Sequence, residues 1–242
     1  MQAARLQVEA LLRARRLDRT VADLEAPPDP ARTAPTGLGW LDGRLGGGWP
    51  CGETSEVAGP ASSGRTSVLV ATLAAATARG ELVALVDATD AFDVVTAAAA
   101  GVALDRVLWV RGDPAVAASQ PGGRVAGLVD RAIKAFGLVL EAGGFGVVAL
   151  DVADVAPADL ARLPFTTWRR LQRLVEGRDT VSLVIAPAPL ARSARGLTLE
   201  LTASAAATPR WEGTSRRARR LVGLSLTPAI RAARRIESPR PR

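Results

Sequence analysis

Residues 56–67 read EVAGPASSGRTS. The spacing is that of a phosphate-binding loop, GxxxxGK[ST]: Gly59, four residues, Gly64, a cation, then a hydroxyl. Such a loop works because backbone N–H groups converge on an anion at a helix N-terminus, where the helix dipole adds partial positive charge. Gly59 and Gly64 allow close approach, Ser63 and Ser67 add hydroxyls, and Thr66 stands where a magnesium-binding hydroxyl is needed. The lysine position holds Arg65. A guanidinium is planar, wide and forked, whereas an ammonium is compact, so the two are not interchangeable over a tight loop. Two readings follow: altered nucleotide binding in which Arg65 still pairs phosphate, or a loop kept for folding while Arg65 turns outward.

The second half of a nucleotide site would be acidic. Asp151 closes the apolar run VVALD and fits a carboxylate that holds Mg²⁺ through water. Asp87, Asp90 and Asp93 lie at the end of an earlier apolar run, but spacing alone does not promote one of them to general base. The chain has no histidine, which excludes His-based acid–base catalysis, Ser-His-Asp triads and most zinc sites.

The elements that must position these groups alternate in type. Apolar strand-like runs end near residues 58, 88, 112, 152 and 187, and helical stretches cover 65–79, 92–101, 123–141 and 158–176, the last broken near Pro164. Alternation of this kind predicts an α/β fold: a mostly parallel sheet with helices on both faces. Residues 197–205 and 219–228 are expected to pair as a C-terminal antiparallel hairpin. The domain plan is an N-terminal helix within 1–25 (periodic over 3–24), a Pro-rich linker at 26–35, a core at 36–230 and a basic tail at 231–242 that is expected to be mobile. The helix carries one apolar stripe, Leu6, Ala10, Ala14, Leu17, Val21 and Leu24, which needs a docking surface. A partner or a second copy of the chain, giving a homo-oligomer, is expected to supply it, with this chain's own core as the alternative.

Charge is concentrated at one end. Residues 192–242 hold 12 Arg against 3 Glu, whereas the whole chain is at +7. Arg210, Trp211, Arg216, Arg217, Arg219 and Arg220 crowd the hairpin region, a combination suited to phosphate contacts and base stacking on single-stranded DNA. Arginine makes up all but one of the basic residues, Lys134 being the exception, so a solvated basic turn is the competing reading. The lone Cys51 allows no internal disulfide, and neither a membrane span nor a secretory signal is evident, so a cytoplasmic, nucleoid-associated protein with no membrane partner is expected.

On these residues the chain resembles a known family. TGLGWLDGRLGGGWPCGETSEVAGPASSGRTSVL (36–69) is similar to the opening of the RecA recombinase core, LVDATDAFD (85–93) to its strand carrying the catalytic glutamate, VVALDV (147–152) to its Walker B strand and LVIAPAP (183–189) to its nucleotide-sensing strand. The resemblance implies a RecA-like core. Thr89 then stands at the glutamate position and Pro187 at the sensor, so with Arg65 three positions have lost their chemistry while Thr66 and Asp151 keep theirs. A closer resemblance is to the ImuA (SulA-like) proteins, carried by PTGLGWLDGRLGGGWPCGETSEV (35–57) and WRRLQRLVEG (168–177). It implies a non-catalytic accessory protein of damage-induced translesion synthesis. The implied partners are an ImuB-type polymerase homologue, an error-prone DnaE-type polymerase through the complex, RecA and single-stranded DNA. No cofactor is expected, neither ATP nor Mg²⁺ being turned over. The alternatives are a DNA-dependent ATPase or recombinase with an Arg-substituted loop, and a SulA-type cell-division inhibitor.

Overall fold

The computed structural model describes residues 32–112, 123–190, 196–201, 208–213, 220–225 and 229–232. Its elements are β1 (Thr33–Ala34), α1 (Gly39–Leu45), β2 (Trp49–Pro50), β3 (Thr54–Ala58), α2 (Arg65–Ala78), β4 (Val83–Asp87), α3 (Val94–Ala99), β5 (Val107–Arg111), α4 (Gly123–Ala142), β6 (Val147–Asp151), α5 (Pro157–Leu160), α6 (Phe165–Val175), β7 (Val181–Ala186), β8 (Leu197–Glu200), β9 (Thr208–Glu212), β10 (Arg220–Ser225) and β11 (Ala229–Ala232).

Seven strands form one sheet in the order β11-β8-β3-β7-β6-β4-β5. All neighbours are parallel except β11, which runs antiparallel to β8 at the edge. The central strands are buried on both faces, which is why β4, β6 and β7 read as mostly apolar runs, while β3 (TSEVA) buries the polar Thr54, Ser55 and Glu56. Successive residues serve opposite layers. Val83, Leu85, Leu183 and Ile185 join α2 with Leu41, Trp49, Leu69 and Leu73 on one face. Ala84, Val86, Val148 and Leu150 join α4 and α6, with Phe136, Leu140, Trp168 and Leu171, on the other. The helices therefore cover both faces, as the alternation of elements requires.

The glycine triplet after α1 has a definite task. Gly46 caps α1 in the left-handed region and donates its N–H to a helix carbonyl. Gly48 sits at φ +133°, where a Cβ would lie 2.1 Å from the Ala34 carbonyl oxygen. Only glycine lets the chain pass this close, and the passage allows β1 to pair with β2. Trp49 then turns inward, fully buried, with Nε1 donating to Thr72 Oγ1 at 3.1 Å. This bond fixes the 33–50 segment onto α2.

Three expectations about boundaries and pairing are corrected. The linker set at 26–35 is not free of structure throughout, because Thr33 and Ala34 pair with Pro50 and Trp49. Residues 197–205 and 219–228, expected to pair as a hairpin, do not pair with each other in their described parts, 197–201 and 220–225. Instead β8 lies parallel to β3, and the antiparallel hairpin joins β9 to β10 in a separate two-stranded sheet. Leu197, Leu199 and Leu201 are buried, and only the open edge of β3 offers them a core. Period-two alternation reports a two-faced strand but not its neighbour. Finally, Arg231 and Ala232, assigned to the mobile tail, pair with Thr198 and Leu197. The expected break near Pro164 is present: α5 ends at Leu160, and Pro164 caps α6. The helix expected at 3–24 lies outside the described residues, and no described helix is long and apolar enough to cross a membrane.

Gly48→Ala is expected to lower unfolding stability by about 2 kcal/mol or more, because strained φ and backbone collision coincide. Chemical denaturation of both proteins checks this, and an unchanged midpoint would mean that the β1–β2 passage is not fixed as described.

Candidate nucleotide site

The loop begins where β3 ends. Gly59 donates its N–H to the Ala186 carbonyl at 3.1 Å, tying the loop to the end of β7. A Cβ on Gly59 would lie 2.5 Å from the Leu201 carbonyl oxygen and 2.6 Å from Ser63 Oγ, so this position admits no side chain. Ser62 has a positive φ of 62°, and Gly64 caps α2 at φ 93°. The turn therefore delivers the chain into a helix N-terminus, as an anion-binding loop does.

Arg65 does something neither sequence reading anticipated. It does not turn outward; the residue is 6% exposed. Its Nη1 donates to the Gly59 carbonyl at 2.7 Å, and its Nη2 donates to Asp154 Oδ1 at 2.7 Å. Folded back over the loop, the fork reaches across the turn and finds one acceptor on each side. A cation set to receive phosphate would leave its donors free. Here one N–H on each terminal nitrogen is engaged, by a loop carbonyl and by a carboxylate from the segment after β6. Asp154 escaped the sequence reading. The only signal was a second carboxylate three residues after Asp151 in DVAD, and its partner is 89 positions away.

The remaining acidic groups are also occupied. Asp151, at the end of β6, accepts from the Ala153 N–H at 2.9 Å. Burial, followed by the nearby Asp87 and Asp154 carboxylates, pushes its carboxyl up to about 6 against the opposing pull of Arg65 and the Ala153 N–H. Asp87 is fully buried and accepts from the Ala91 and Phe92 N–H groups at 3.1 and 2.9 Å and from Trp109 Nε1 at 3.3 Å. Asp90, at φ 56°, takes Arg111 in two bonds of 2.7 Å, and this pairing lowers its pKa. The Arg111 guanidinium in turn lies 4.4 Å over the Trp109 ring. Asp93 caps α3, and the Thr96 hydroxyl followed by the backbone N–H groups holds its carboxyl low. Each of the three carboxylates near Thr89 thus shapes its own loop.

Arg65 spans the loop, Asp151 is turned onto its own backbone, and Thr66 and Ser67 lie exposed at the first turn of α2. Among the described residues no group of three or more His, Cys, Asp or Glu could hold a metal ion. Ser63 Oγ is buried without a partner, and a single hydroxyl does not make a triphosphate site. Pro187 follows β7 directly and offers no side-chain donor at the position where a sensor would stand.

The basic hairpin is only partly described. Arg210 and Trp211 belong to β9 opposite Gly223 and Leu221, and Arg220 opens β10 opposite Glu212. They lie in the ladder and not in the turn. Arg216, Arg217 and Arg219 lie outside the described residues.

Strand order, the loop at the end of β3 and the carboxylate at the end of β6 together make this a RecA-like α/β core. Comparison with known proteins agrees in sequence: the model of the RecA N-terminal domain family matches residues 21–135. Protein RecA of Prochlorococcus marinus (strain MIT 9303) is 46% identical over 76 residues, 31% of this chain and 20% of that protein. Protein RecA of Synechococcus sp. (strain WH7803) is 45% identical over 76 residues, again 31% of this chain and 20% of that protein. The match thus spans about a fifth of the length of these relatives. The crystal structure of the RadB recombinase aligns with a TM-score of 0.45 at 19% identity, over 69% of this chain and 83% of that one.

Asp151 supplies a test of the site's electrostatics. Its folded pKa is raised above the usual carboxylate value, so the fold binds more protons than the unfolded chain between about pH 4 and 6, and stability falls as pH rises through that window. Asp151→Asn removes this penalty. The stability of the variant relative to the parent should rise between pH 4 and 7, by on the order of 2 kcal/mol. A difference independent of pH would mean that Asp151 is not held as described.

Proposed function

We propose that this chain is a RecA-like accessory protein of damage-induced translesion synthesis that works by binding and not by turnover. The observation that carries the reading is Arg65, whose guanidinium holds the Gly59 carbonyl and the Asp154 carboxylate at 2.7 Å each. With two of its N–H donors committed to these acceptors, the guanidinium is turned onto its own loop and not outward to a phosphate, and Thr89 and Pro187 cannot orient water or sense a nucleotide. The resemblance of residues 35–57 and 168–177 to ImuA proteins supplies the cellular setting: an ImuB-type polymerase homologue as direct partner, with an error-prone DnaE-type polymerase and RecA in the same assembly.

ATP hydrolysis measured with and without single-stranded DNA tests the non-catalytic half. Turnover at background is expected for the parent chain. Arg65→Lys should raise nucleotide affinity at most, leaving hydrolysis at background, since no carboxylate stands at position 89. Turnover well above background that Asp151→Ala abolishes would overturn the reading in favour of a DNA-dependent ATPase. Co-purification of the tagged chain with the polymerase homologue from damaged cells tests the partner, and recovery of the division machinery instead would point to a SulA-type inhibitor.

The basic hairpin is the proposed DNA contact. Affinity for single strands should be independent of sequence and should fall with salt, with a log–log slope of about −0.7 per contacted phosphate. Replacing Arg216, Arg217, Arg219 and Arg220 by Ala should flatten that slope by about two to four phosphates' worth. Equal affinity and slope for parent and variant would reassign the basic segment to protein contacts.

A further inference from the structure

The helix α6 is anchored on one side and charged on the other. Trp168, Leu171 and Val175 are buried in the apolar layer that α6 shares with α4. Gln172 fastens the helix further: Nε2 donates to Glu53 Oε2 at 2.8 Å and to the Gly52 carbonyl at 3.2 Å, and Oε1 accepts from the Thr54 N–H at 2.8 Å. The outer side carries Phe165, Thr166, Arg169, Arg170 and Arg173, all exposed and recurring at spacings of three and four. Phe165 is 49% exposed. Arg173 is already engaged, whereas Arg169 and Arg170 make no hydrogen bond or ion pair among the described residues. No acidic residue lies within Phe165–Val175.

The two ends of this face define what fits it. Asp159 lies before the helix, where it meets Arg162 at 3.5 Å. Glu176 and Asp179 follow it, and the Asp179 side chain is almost wholly exposed. The helix between them is about 16 Å long. A phosphate backbone laid along α6 would run into carboxylates at both ends, where like charges repel. A short acidic polypeptide matches the pattern, with carboxylates at its middle and neutral or basic residues beyond. Arginine suits such a partner, because its planar fork takes a carboxylate in two parallel bonds. The Phe165 ring, one turn before Arg169, offers an apolar contact beside the charges.

We propose that the outer face of α6 is a docking site for an acidic segment of another polypeptide. Carboxylates of that segment pair with Arg169 and Arg170, and an apolar side chain next to them covers Phe165. Neutral or basic residues at its ends meet Asp159 and Asp179. The buried Trp168, Leu171 and Val175 and the Gln172 bonds hold the backbone beneath the arginines in place before the partner arrives, which lowers the ordering cost of association. The face owes nothing to the nucleotide loop or to the basic hairpin, so it stands whether or not the chain binds nucleotide or DNA.

Fluorescence anisotropy with the full chain and a labelled synthetic peptide tests this. The probe is about 14 residues long, enough to run the length of α6 as a helix, with glutamates flanking one leucine and a lysine at each end. It should bind saturably, and more weakly as the Debye length shrinks from about 8 Å at about 0.15 M salt to about 3 Å at about 1 M. Arg169→Glu/Arg170→Glu should weaken binding by about tenfold or more, and a peptide with lysine in place of each glutamate should gain affinity for that variant. Arg131→Glu/Lys134→Glu, an equal charge change at exposed positions of α4, should leave the acidic peptide's affinity within about twofold. Phe165→Ser should weaken the leucine peptide and spare a version with alanine in its place. No saturable binding, or an equal loss in the two double variants, would overturn the proposal. So would an unchanged peptide affinity in Arg169→Glu/Arg170→Glu alongside lost binding of an oligothymidine strand, which would make the face a nucleic-acid contact.

Discussion

The candidate site turns on one guanidinium. Arg65 is the first residue of α2, and its two terminal nitrogens join the start of its own loop to the segment after β6. The parallel sheet makes this reach available. β3 and β6 are separated only by β7, and their carboxyl ends emerge on the same edge of the fold. Asp154 is half in solvent while Arg65 is nearly enclosed. The contact therefore costs little desolvation on the carboxylate side, while removing Asp154 would leave a buried cation with one acceptor fewer. Lysine would present one nitrogen where arginine presents two, so both acceptors would have to share a single ammonium.

Around this link the acidic residues have been drawn into architecture. Asp87 organises the 88–93 loop through two N–H groups and an indole, Asp90 pairs with Arg111 stacked on Trp109, and Asp93 caps α3. Asp151 is buried with one backbone N–H and two carboxylate neighbours, and burial first of all pushes its carboxyl up to about 6. A site of this kind keeps the shape of a nucleotide-binding core while its polar groups satisfy one another.

Much of the fold was legible in the sequence because its signals are local. Apolar runs marked β4, β6 and β7, and β3 was placed by the glycine-rich loop that follows it. The GxxxxG spacing marked the loop, and Pro164 marked the break before α6. What escaped was long-range. Whether Arg65 pointed outward or inward depended on Asp154, which periodicity cannot associate with it. The partner of β8 was misassigned because LTLEL alternates equally well for a hairpin or a sheet edge, and the buried Leu199 decides the matter only once β3 is seen to be open. The roles of Asp87, Asp90 and Asp93 needed the Trp109–Arg111 strand beside them, which spacing along one segment cannot supply.

The central claim is that the loop is already filled by Arg65. Thermal unfolding of the parent chain with increasing Mg–ATP tests it most directly, because any ligand that binds the folded state alone raises the melting temperature by mass action. The account expects no saturable shift for the parent chain at millimolar nucleotide. A saturable rise that disappears in Gly64→Val would contradict it, since nucleotide would then displace Arg65 and occupy the loop.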